Sequence, residues 1–289
     1  KGKLADIMIR ALQLDANLLI FNEELNPSQI SSITDFTDLR VIDRTQLILD
    51  IFAHRAMRRE GKLQVEMAQL KYILPRLSSR DDALSRLTGG IGARGPGETK
   101  LEIDRRRIND RVARLAKELK NVGRERYRRR AKRRKKDLPV LSLVGYTNAG
   151  KSTLLNTLTN SAILAEDKLF ATLDPTLRRL QIDKVGPVVL ADTVGFIAHL
   201  PHNLVEAFKA TLEETLNADL LPHGTDAASG ERDDNILQVQ EVLAEIGAED
   251  SPQLQVYNKL DLLEQSPRID RDADGRPCRV WLSAATGAG

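Results

Sequence analysis

The segment LPVLSLVGYTNAGKST, from Leu138 to Thr153, decides the fold of the chain. Its apolar first half predicts a buried strand, and the TLLNTLT that begins at Thr153 predicts a helix. Between them, GYTNAGKS fits the pattern G-x-x-x-x-G-K-S. Backbone N–H groups in such a loop, together with the helix N-terminus, surround phosphate oxygens. We therefore predict a phosphate site in which Lys151 reaches the β- and γ-phosphates and the Ser152 hydroxyl holds Mg²⁺.

Three later motifs narrow the nucleotide to a guanine nucleotide. Asp192-Thr-Val-Gly195 follows a strand-like run, so its Asp could hold Mg²⁺ through a water while its last amide senses the γ-phosphate. Asn258-Lys259-Leu260-Asp261 ends in a carboxylate that could accept from N1–H and the 2-amino group of guanine, a pair that adenine lacks. Ser283-Ala284 could offer a backbone N–H to the guanine O6. The order of these motifs predicts a P-loop GTPase domain in an α/β fold with a parallel sheet.

A GTPase also needs a threonine in the loop after its first helix, which closes on Mg²⁺ and the γ-phosphate. The segment FATLDPT lies there, with Thr172 as the first candidate and Thr176 as the second. An ordinary loop threonine or helix cap is the alternative interpretation. The predicted nucleotide-contacting residues are Gly145, Tyr146, Thr147, Asn148, Ala149, Gly150, Lys151, Ser152, Thr153, Phe170, Ala171, Thr172, Leu173, Asp174, Asp192, Thr193, Val194, Gly195, Asn258, Lys259, Asp261, Ser283 and Ala284. The predicted metal-holding residues are Ser152, Thr172 and Asp192.

The residue after Gly195 is Phe196, where many GTPases carry a glutamine that orients the attacking water. Because phenylalanine cannot hydrogen-bond to water, we expect slow hydrolysis until a partner completes the site. His199 and His202 follow closely and could orient water. Solvated loop histidines are the other interpretation of this pair.

Residues 1–44 predict a partial α/β subdomain. Lys3–Gln13 has a helical pattern, and Asn17–Asn22 and Leu39–Asp43 have strand patterns. Pro27 marks the start of a helix between the two strands, with Asn26 or Ser28 available as its cap. Two strands with helical connections predict a small parallel sheet.

Residues 45–136 predict a two-helix antiparallel arm with a glycine-rich loop, GGIGARGPG, at 89–97. The second helix has a heptad seam. The first has apolar residues every seven positions that could face this seam. A G-x-G-x-x-G pattern begins at Gly90, but no strand precedes it, which disfavours a dinucleotide site. The seam residues are Ile108, Val112, Leu115, Leu119 and Val122, and those of the first helix are Ala56, Leu63, Leu70 and Leu77.

Charge is segregated along the chain. Arg105 to Lys136 contain 17 Lys or Arg and 3 Asp or Glu, whereas the whole 289-residue chain has a net charge of only +3. Such segregation favours a polyanionic partner, nucleic acid first, over a merely solvated helix face. The single cysteine, Cys278, excludes an internal disulfide and favours the cytoplasm. No run of 18 apolar residues predicts a membrane span.

The motifs GGIGARGPGETKLE, GYTNAGKST, FATLDPT, DTVGFI, LPHNLVEAFKATLEET and NKLD resemble the HflX family of translation-associated GTPases in the Obg–HflX group. The resemblance covers nearly the whole chain. It implies an α/β part and a two-helix arm before a Ras-like GTPase domain at 137–289, with a C-terminal region of the family lacking after Gly289. It also implies a cytoplasmic monomer that binds GTP, GDP and Mg²⁺. Such a protein would bind ribosomal RNA of the large subunit, hydrolyse GTP slowly alone and faster on ribosomes, and split stalled or idle ribosomes, notably after heat stress.

Two departures from the family pattern concern strands. Pro222 and Gly224 are poor residues for the central strand expected at Leu220–Gly224, and Gln255 interrupts the apolar strand before Asn258. Two other functions stay open. One is an RNA-binding or RNA-remodelling module regulated by nucleotide. The other is a structural coiled coil with a vestigial nucleotide fold, which the intact site residues disfavour.

Overall fold

The computed structural model describes residues 2–77, 100–134, 138–160, 170, 172–173, 175–198, 212 and 214–289. The glycine-rich loop at 89–97 and the candidates Ala171, Asp174, His199 and His202 lie outside these residues. The chain divides into two compact units. The first contains Lys1–His54 and Leu63–Lys120, and the second contains Arg55–Lys62 and Asn121–Gly289. The three domains predicted from the sequence stay a prediction.

The first unit begins with helix α1 (Gly2–Gln13), strand β1 (Leu18–Phe21), helix α2 (Pro27–Thr37) and strand β2 (Arg40–Asp43). The two strands pair in parallel along their full length, as predicted. Asn26 caps α2: its side chain accepts from the Gln29 backbone N–H, and the Gln29 side chain accepts in return from the Asn26 N–H. The core between α2 and the sheet contains Leu25, Ile33 and Val41.

The helices of the predicted arm are α3 (Arg44–Arg55), α4 (Arg59–Ile73) and α5 (Lys100–Arg134). One long first helix was therefore a wrong prediction, because the chain leaves the helical path at 56–58. Ala56 is buried at this break and Leu77 lies beyond α4, so the two do not belong to one helical stripe. No glycine or proline marks the break, and so the sequence offered no signal for it. In α5 all five seam residues are buried or half-buried, as the heptad predicts.

Ion pairs join α4 to α5. Within the first unit, the Arg111 guanidinium contacts both carboxylate oxygens of Glu66, at 2.6 and 2.8 Å. Within the second unit, Arg126 pairs with Glu60. The later glutamate of α4, Glu66, thus pairs with the earlier arginine of α5, Arg111. This is the order expected of antiparallel helices. No helix among the described residues is both long and apolar enough to cross a membrane.

The second unit is built on a seven-stranded sheet in the order β4-β5-β3-β6-β7-β9-β8. The five inner strands are parallel, and β4 and β8 pair antiparallel at the two edges. Helix α6 (Lys151–Thr159) follows β3, and helix α7 (Arg232–Ile246) follows β6. The strands are β3 (Val140–Gly145), β4 (Thr176–Ile182), β5 (Gly186–Asp192), β6 (Leu221–Asp226), β7 (Gln253–Asn258), β8 (Arg268–Arg271) and β9 (Pro277–Trp281).

Strand β6 occupies the centre of the sheet despite Pro222 and Gly224. Its ladder to β7 is continuous, but its ladder to β3 has a gap at Pro222, which has no N–H to donate. The doubt about its regularity was thus justified on one side only. Gln255 does not interrupt β7, because its side-chain Nε2 lies 3.2 Å from Nδ1 of the buried His223 on β6. One polar residue inside the sheet is matched by another on the neighbouring strand.

Packing of α6 on the sheet fixes the loop that precedes it. Leu154 and Leu155 of α6 are buried against Leu143, Leu190 and Val256 from three different strands. Burial of each such side chain stabilises the fold by about 1.5–3 kcal/mol. The helix N-terminus is therefore held at the carboxyl edge of the sheet, where parallel α/β proteins bind their ligands.

Candidate nucleotide site

The loop between β3 and α6 has a backbone that requires glycine at both ends. Gly145 has φ 146° and Gly150 has φ 82°. A Cβ atom on Gly150 would lie 2.3 Å from Nδ2 of Asn258, and one on Gly145 would lie 2.1 Å from the Gly224 oxygen. The two glycines thus let the loop turn back over neighbouring strands without a clash.

Asn258, at the end of β7, connects this loop to the chain after β9. Its Nδ2 donates to the Ala149 oxygen at 3.0 Å, and its Oδ1 accepts from the Ala284 N–H at 2.9 Å. Thr157 of α6 also donates to the Ala284 oxygen, at 2.7 Å. The structure therefore brings together the phosphate loop, the NKLD motif and Ser283-Ala284, three segments far apart in sequence.

Lys151 lies buried inside the loop. Its Nζ donates to the backbone oxygens of Gly145 and Tyr146, at 3.0 and 2.8 Å. Burial lowers the Lys151 pKa to about 8, and the nearby Asp192 carboxylate opposes part of this shift. Both acceptors are neutral carbonyls, so the ammonium has hydrogen bonds but no direct ion pair among the described residues.

Ser152, Thr172 and Asp192 form a cluster of hard oxygen atoms. The Ser152 and Thr172 hydroxyls lie 2.7 Å apart, and they lie 2.6 and 3.0 Å from Oδ2 of Asp192. The other carboxylate oxygen, Oδ1, is buried and has no hydrogen-bond partner. Burial raises the Asp192 pKa, whereas the Ser152 hydroxyl and the Lys151 charge oppose this shift. Thr176 does not join the cluster through its side chain; it begins β4, in register with Asp192.

The cluster suits a magnesium ion. No group of three or more His, Cys, Asp or Glu side chains within the described ranges could hold a metal by itself. Mg²⁺ is usually held by only one or two carboxylates and completes its octahedron with water and substrate phosphates. An unpartnered carboxylate oxygen next to two hydroxyls matches that chemistry.

Gly195 lies against the phosphate loop. A Cβ atom there would be 2.7 Å from the Thr147 Cα and 3.1 Å from the Lys151 Nζ. Thr193 and Val194 are buried beside it, and the Thr193 hydroxyl donates to the Leu143 oxygen at 2.6 Å. Phe196 is fully buried.

The NKLD segment places Asp261 at the surface, where one carboxylate oxygen accepts from the Ser283 hydroxyl. Lys259 has φ 65° and pairs with Asp226 at 2.8 Å. Sequence reasoning missed Asp226, although an aspartate at the end of a parallel strand is a recognisable signal. The buried His223 was also missed as a neighbour of the loop. Its burial, followed by the Lys151 charge, lowers its pKa to about 4, so it is neutral at physiological pH.

Three family models match the chain. Residues 1–53 match the GTP-binding GTPase N-terminal model, residues 55–133 match the GTP-binding GTPase middle region, and residues 140–259 match the 50S ribosome-binding GTPase model. Together they cover almost the whole chain. The boundary between the first two falls in the last turn of α3.

Several curated relatives of the chain are named GTPase HflX. The GTPase HflX of Escherichia coli K12 is 53% identical over 290 residues, which is all of this chain and 68% of that protein. The GTPase HflX of Caldanaerobacter subterraneus is 53% identical over 92% of this chain and 62% of its own. A crystal structure of a GTP-binding protein from Sulfolobus solfataricus with GDP is 26% identical, with a TM-score of 0.50 over 99% of this chain and 80% of that one. The chain thus spans about two thirds of its curated relatives, and it belongs to the HflX family of GTPases.

Proposed function

We propose that this chain is the GTP-binding and GTP-hydrolysing part of a factor that binds the large ribosomal subunit and splits stalled or idle ribosomes, including after heat stress. The observation that carries the nucleotide part is the buried Asp192, whose Oδ1 lacks a partner beside Ser152 and Thr172. A buried carboxylate oxygen without a partner is costly unless a ligand completes it. The ribosomal part is supported by the 50S ribosome-binding GTPase model, which matches residues 140–259.

Each part of the site has a role in this proposal. The backbone amides from Gly145 to Ser152 and the Lys151 ammonium bind the β- and γ-phosphates. Ser152 and Thr172 would hold Mg²⁺ directly, and Asp192 would hold it through a water. The ion, when bound, neutralises charge on the β- and γ-phosphates. Asp261 accepts from the guanine base, the Ala284 N–H faces its O6, and the Gly195 amide contacts the γ-phosphate.

Slow hydrolysis by the free protein follows from Phe196. Its side chain is fully buried and has no polar atom, so it cannot orient the attacking water. The missing group would come from the ribosome, or from a residue of this chain that the ribosome positions. Hydrolysis is then coupled to the correct partner.

The basic part of α5 would contact ribosomal RNA. Among its described residues, Arg114, Lys117, Lys120 and Arg128 are exposed. Exposed cations on one helix bind a phosphate backbone with little sequence preference and strong salt dependence. Placement by the loop at 89–97 remains part of the proposal.

The test is GTP hydrolysis by the full-length protein with and without large ribosomal subunits, and with short RNAs at equal phosphate concentration. We expect subunits, and not short RNAs, to accelerate hydrolysis. Equal stimulation by short RNAs would favour the RNA-binding alternative. Charge reversal of Arg114 and Lys117 to Glu should weaken stimulation. The same reversal of Lys3 and Arg10, two exposed residues of α1, is the matched control.

A further inference from the structure

Two adjacent side chains of the phosphate loop each accept a hydrogen bond from a different segment of the nucleotide site. The Thr147 hydroxyl accepts from the Phe170 N–H at 2.9 Å, and this bond is buried. The Tyr146 hydroxyl accepts from the Ala198 N–H at 3.1 Å. Both residues occupy variable positions of G-x-x-x-x-G-K-S, whose pattern assigns them only backbone roles.

The first contact holds the segment that carries Thr172. Phe170 lies two residues before Thr172 and is buried. Its φ is 53°, a backbone conformation that residues other than glycine rarely adopt. Such a conformation persists where its surroundings determine it. The Thr147 hydroxyl supplies one determinant, because it receives the Phe170 N–H.

The second contact holds the segment that carries Gly195. Phe196 forms an isolated parallel bridge with Tyr146: the Phe196 N–H donates to the Gly145 oxygen at 3.1 Å, and the Thr147 N–H donates to the Phe196 oxygen at 2.7 Å. The Tyr146 hydroxyl adds a third bond, from Ala198. Gly195 is thereby fixed close to Lys151.

We propose that Tyr146 and Thr147 are positioning residues that set the preference of this site for GTP over GDP. They hold the two segments that carry Thr172 and Gly195 on the phosphate loop, each through its own hydroxyl. This inference rests on the proposed function, in which Thr172 and Gly195 meet the ion and the γ-phosphate.

Ordering of a segment costs conformational entropy, which lowers affinity unless the segment is ordered before binding. GDP has no γ-phosphate, so its binding affinity gains little when the segments that carry Thr172 and Gly195 are already ordered. GTP gains from both. Loss of either hydroxyl should therefore lower the affinity for GTP and leave the affinity for GDP unchanged. Damage to the loop itself should lower the affinity for both nucleotides.

The experiment compares the full-length wild-type protein with Tyr146→Phe, Thr147→Val and the double variant. Affinities for GDP and for a non-hydrolysable GTP analogue are measured by calorimetry with Mg²⁺, and kcat and KM are measured separately. We expect each single variant to lose about fivefold in analogue affinity, the usual effect of one hydrogen bond, and to keep GDP affinity within about twofold. The double variant should lose about 25-fold if the two segments act independently.

Thr147→Ser, which keeps the hydroxyl, should restore the preference for the analogue. The matched controls are Tyr257→Phe and Thr159→Val, which should leave both affinities unchanged. Tyr257 stacks on Trp281, and the Thr159 hydroxyl donates to the Leu155 oxygen within α6, both in the second unit. Equal losses of GDP and analogue, or no loss of either, would overturn the inference while the wild-type protein still binds GTP. A wild-type protein without GTP affinity would instead overturn the proposed function, and this inference with it.

Discussion

Asp43 and Asp192 occupy equivalent positions at the ends of strands, one in each unit, but the hydrogen bonds to their carboxylate oxygens differ. Each is the last residue of a parallel strand, β2 or β5, and each is fully buried. Asp43 accepts from the Leu25 and Gln46 N–H groups, one on each oxygen, at 3.1 and 2.9 Å. Asp192 has both of its hydroxyl partners on one oxygen and none on the other.

The comparison shows that burial at a strand end does not by itself identify a ligand site. Asp43 is satisfied inside its own unit, and Arg76 also lies 3.5 Å from it. It therefore holds the β1–β2 end of the first unit together. Asp192 keeps one buried oxygen without a hydrogen-bond partner inside its own unit. The distinction lies in the hydrogen-bond inventory of each oxygen, which a sequence pattern does not reveal.

The largest expected effect comes from the two cations that accompany these acids. Lys151→Ala should weaken GTP and GDP by on the order of 100-fold or more, because it removes the buried charge that faces the phosphates. Arg76→Ala should destabilise the first unit and leave nucleotide affinity unchanged. The hydrogen bonds of Arg76 to Glu24, Leu25 and Tyr72, and its ion pair with Asp43, all lie within that unit. Calorimetry and denaturant unfolding separate the two effects. Unchanged affinity in Lys151→Ala would contradict the assignment of the loop.

The second prediction concerns stability. Asp43→Asn should lower the free energy of unfolding by about 3 kcal/mol, because one backbone N–H then faces an amide donor and Arg76 loses a buried counter-charge. Nucleotide affinity should not change. The control is Asp38→Asn, an exposed position with φ 56° that asparagine adopts readily. Equal stability of both variants would remove the structural role assigned to Asp43.

A third carboxylate, Asp261, extends the comparison to an exposed acid. Its proposed role is base recognition. Asp261→Asn should therefore weaken GTP binding and favour xanthosine triphosphate, whose base presents an acceptor where guanine presents its amino group. We expect a loss of about tenfold, the effect of one lost charge-assisted hydrogen bond. If GTP affinity stays within about threefold of the wild type in a competition assay, Asp261 does not read the base.

The sequence predicted the parts of the fold whose signals are local. The strand, loop and helix around GYTNAGKS, the parallel pair β1–β2 and the Asn26 cap all follow from adjacent residues. The edge strands β4 and β8, and the inner strand β9 beside β8, were not predicted, because their mixed polar and apolar residues lack a strong periodicity. The helix break at 56–58 contains no glycine or proline, whereas the central strand β6 contains both Pro222 and Gly224. Tertiary packing therefore overrides local preference at both places.

For the nucleotide site, the motifs indicated which residues lie close together but not the hydrogen bonds between them. The sequence proposed Thr172 over Thr176 without a physical reason to choose. The cluster with Ser152 and the edge strand that begins at Thr176 now supply one. The unpartnered Oδ1 of Asp192 and the contacts of Tyr146 and Thr147 depend on atomic distances between segments. No motif contains that information.

The smallest expected effect is a pH dependence. The Lys151 pKa, lowered to about 8 by burial, should rise when phosphates bind, so binding above that pH takes up a proton. At pH 8.5 we expect an uptake of roughly three quarters of a proton, and affinity about fourfold lower than at pH 7. Calorimetry in buffers of different ionisation enthalpy measures the uptake. Arg76 has no such role, so Arg76→Ala should show the same uptake as the wild type.

The most direct test of the Asp43–Asp192 comparison is GTP affinity with Mg²⁺ and with EDTA, in the wild type, Asp192→Asn and Asp43→Asn. We expect Mg²⁺ to tighten GTP binding in the wild type and in Asp43→Asn alike. Asp192→Asn should lose about 10- to 100-fold of that gain, the usual cost of a lost group that holds a metal through water, with EDTA affinities similar in all three. A full Mg²⁺ effect in Asp192→Asn, or its loss in Asp43→Asn, would show that the two aspartates do not have the separate roles assigned to them.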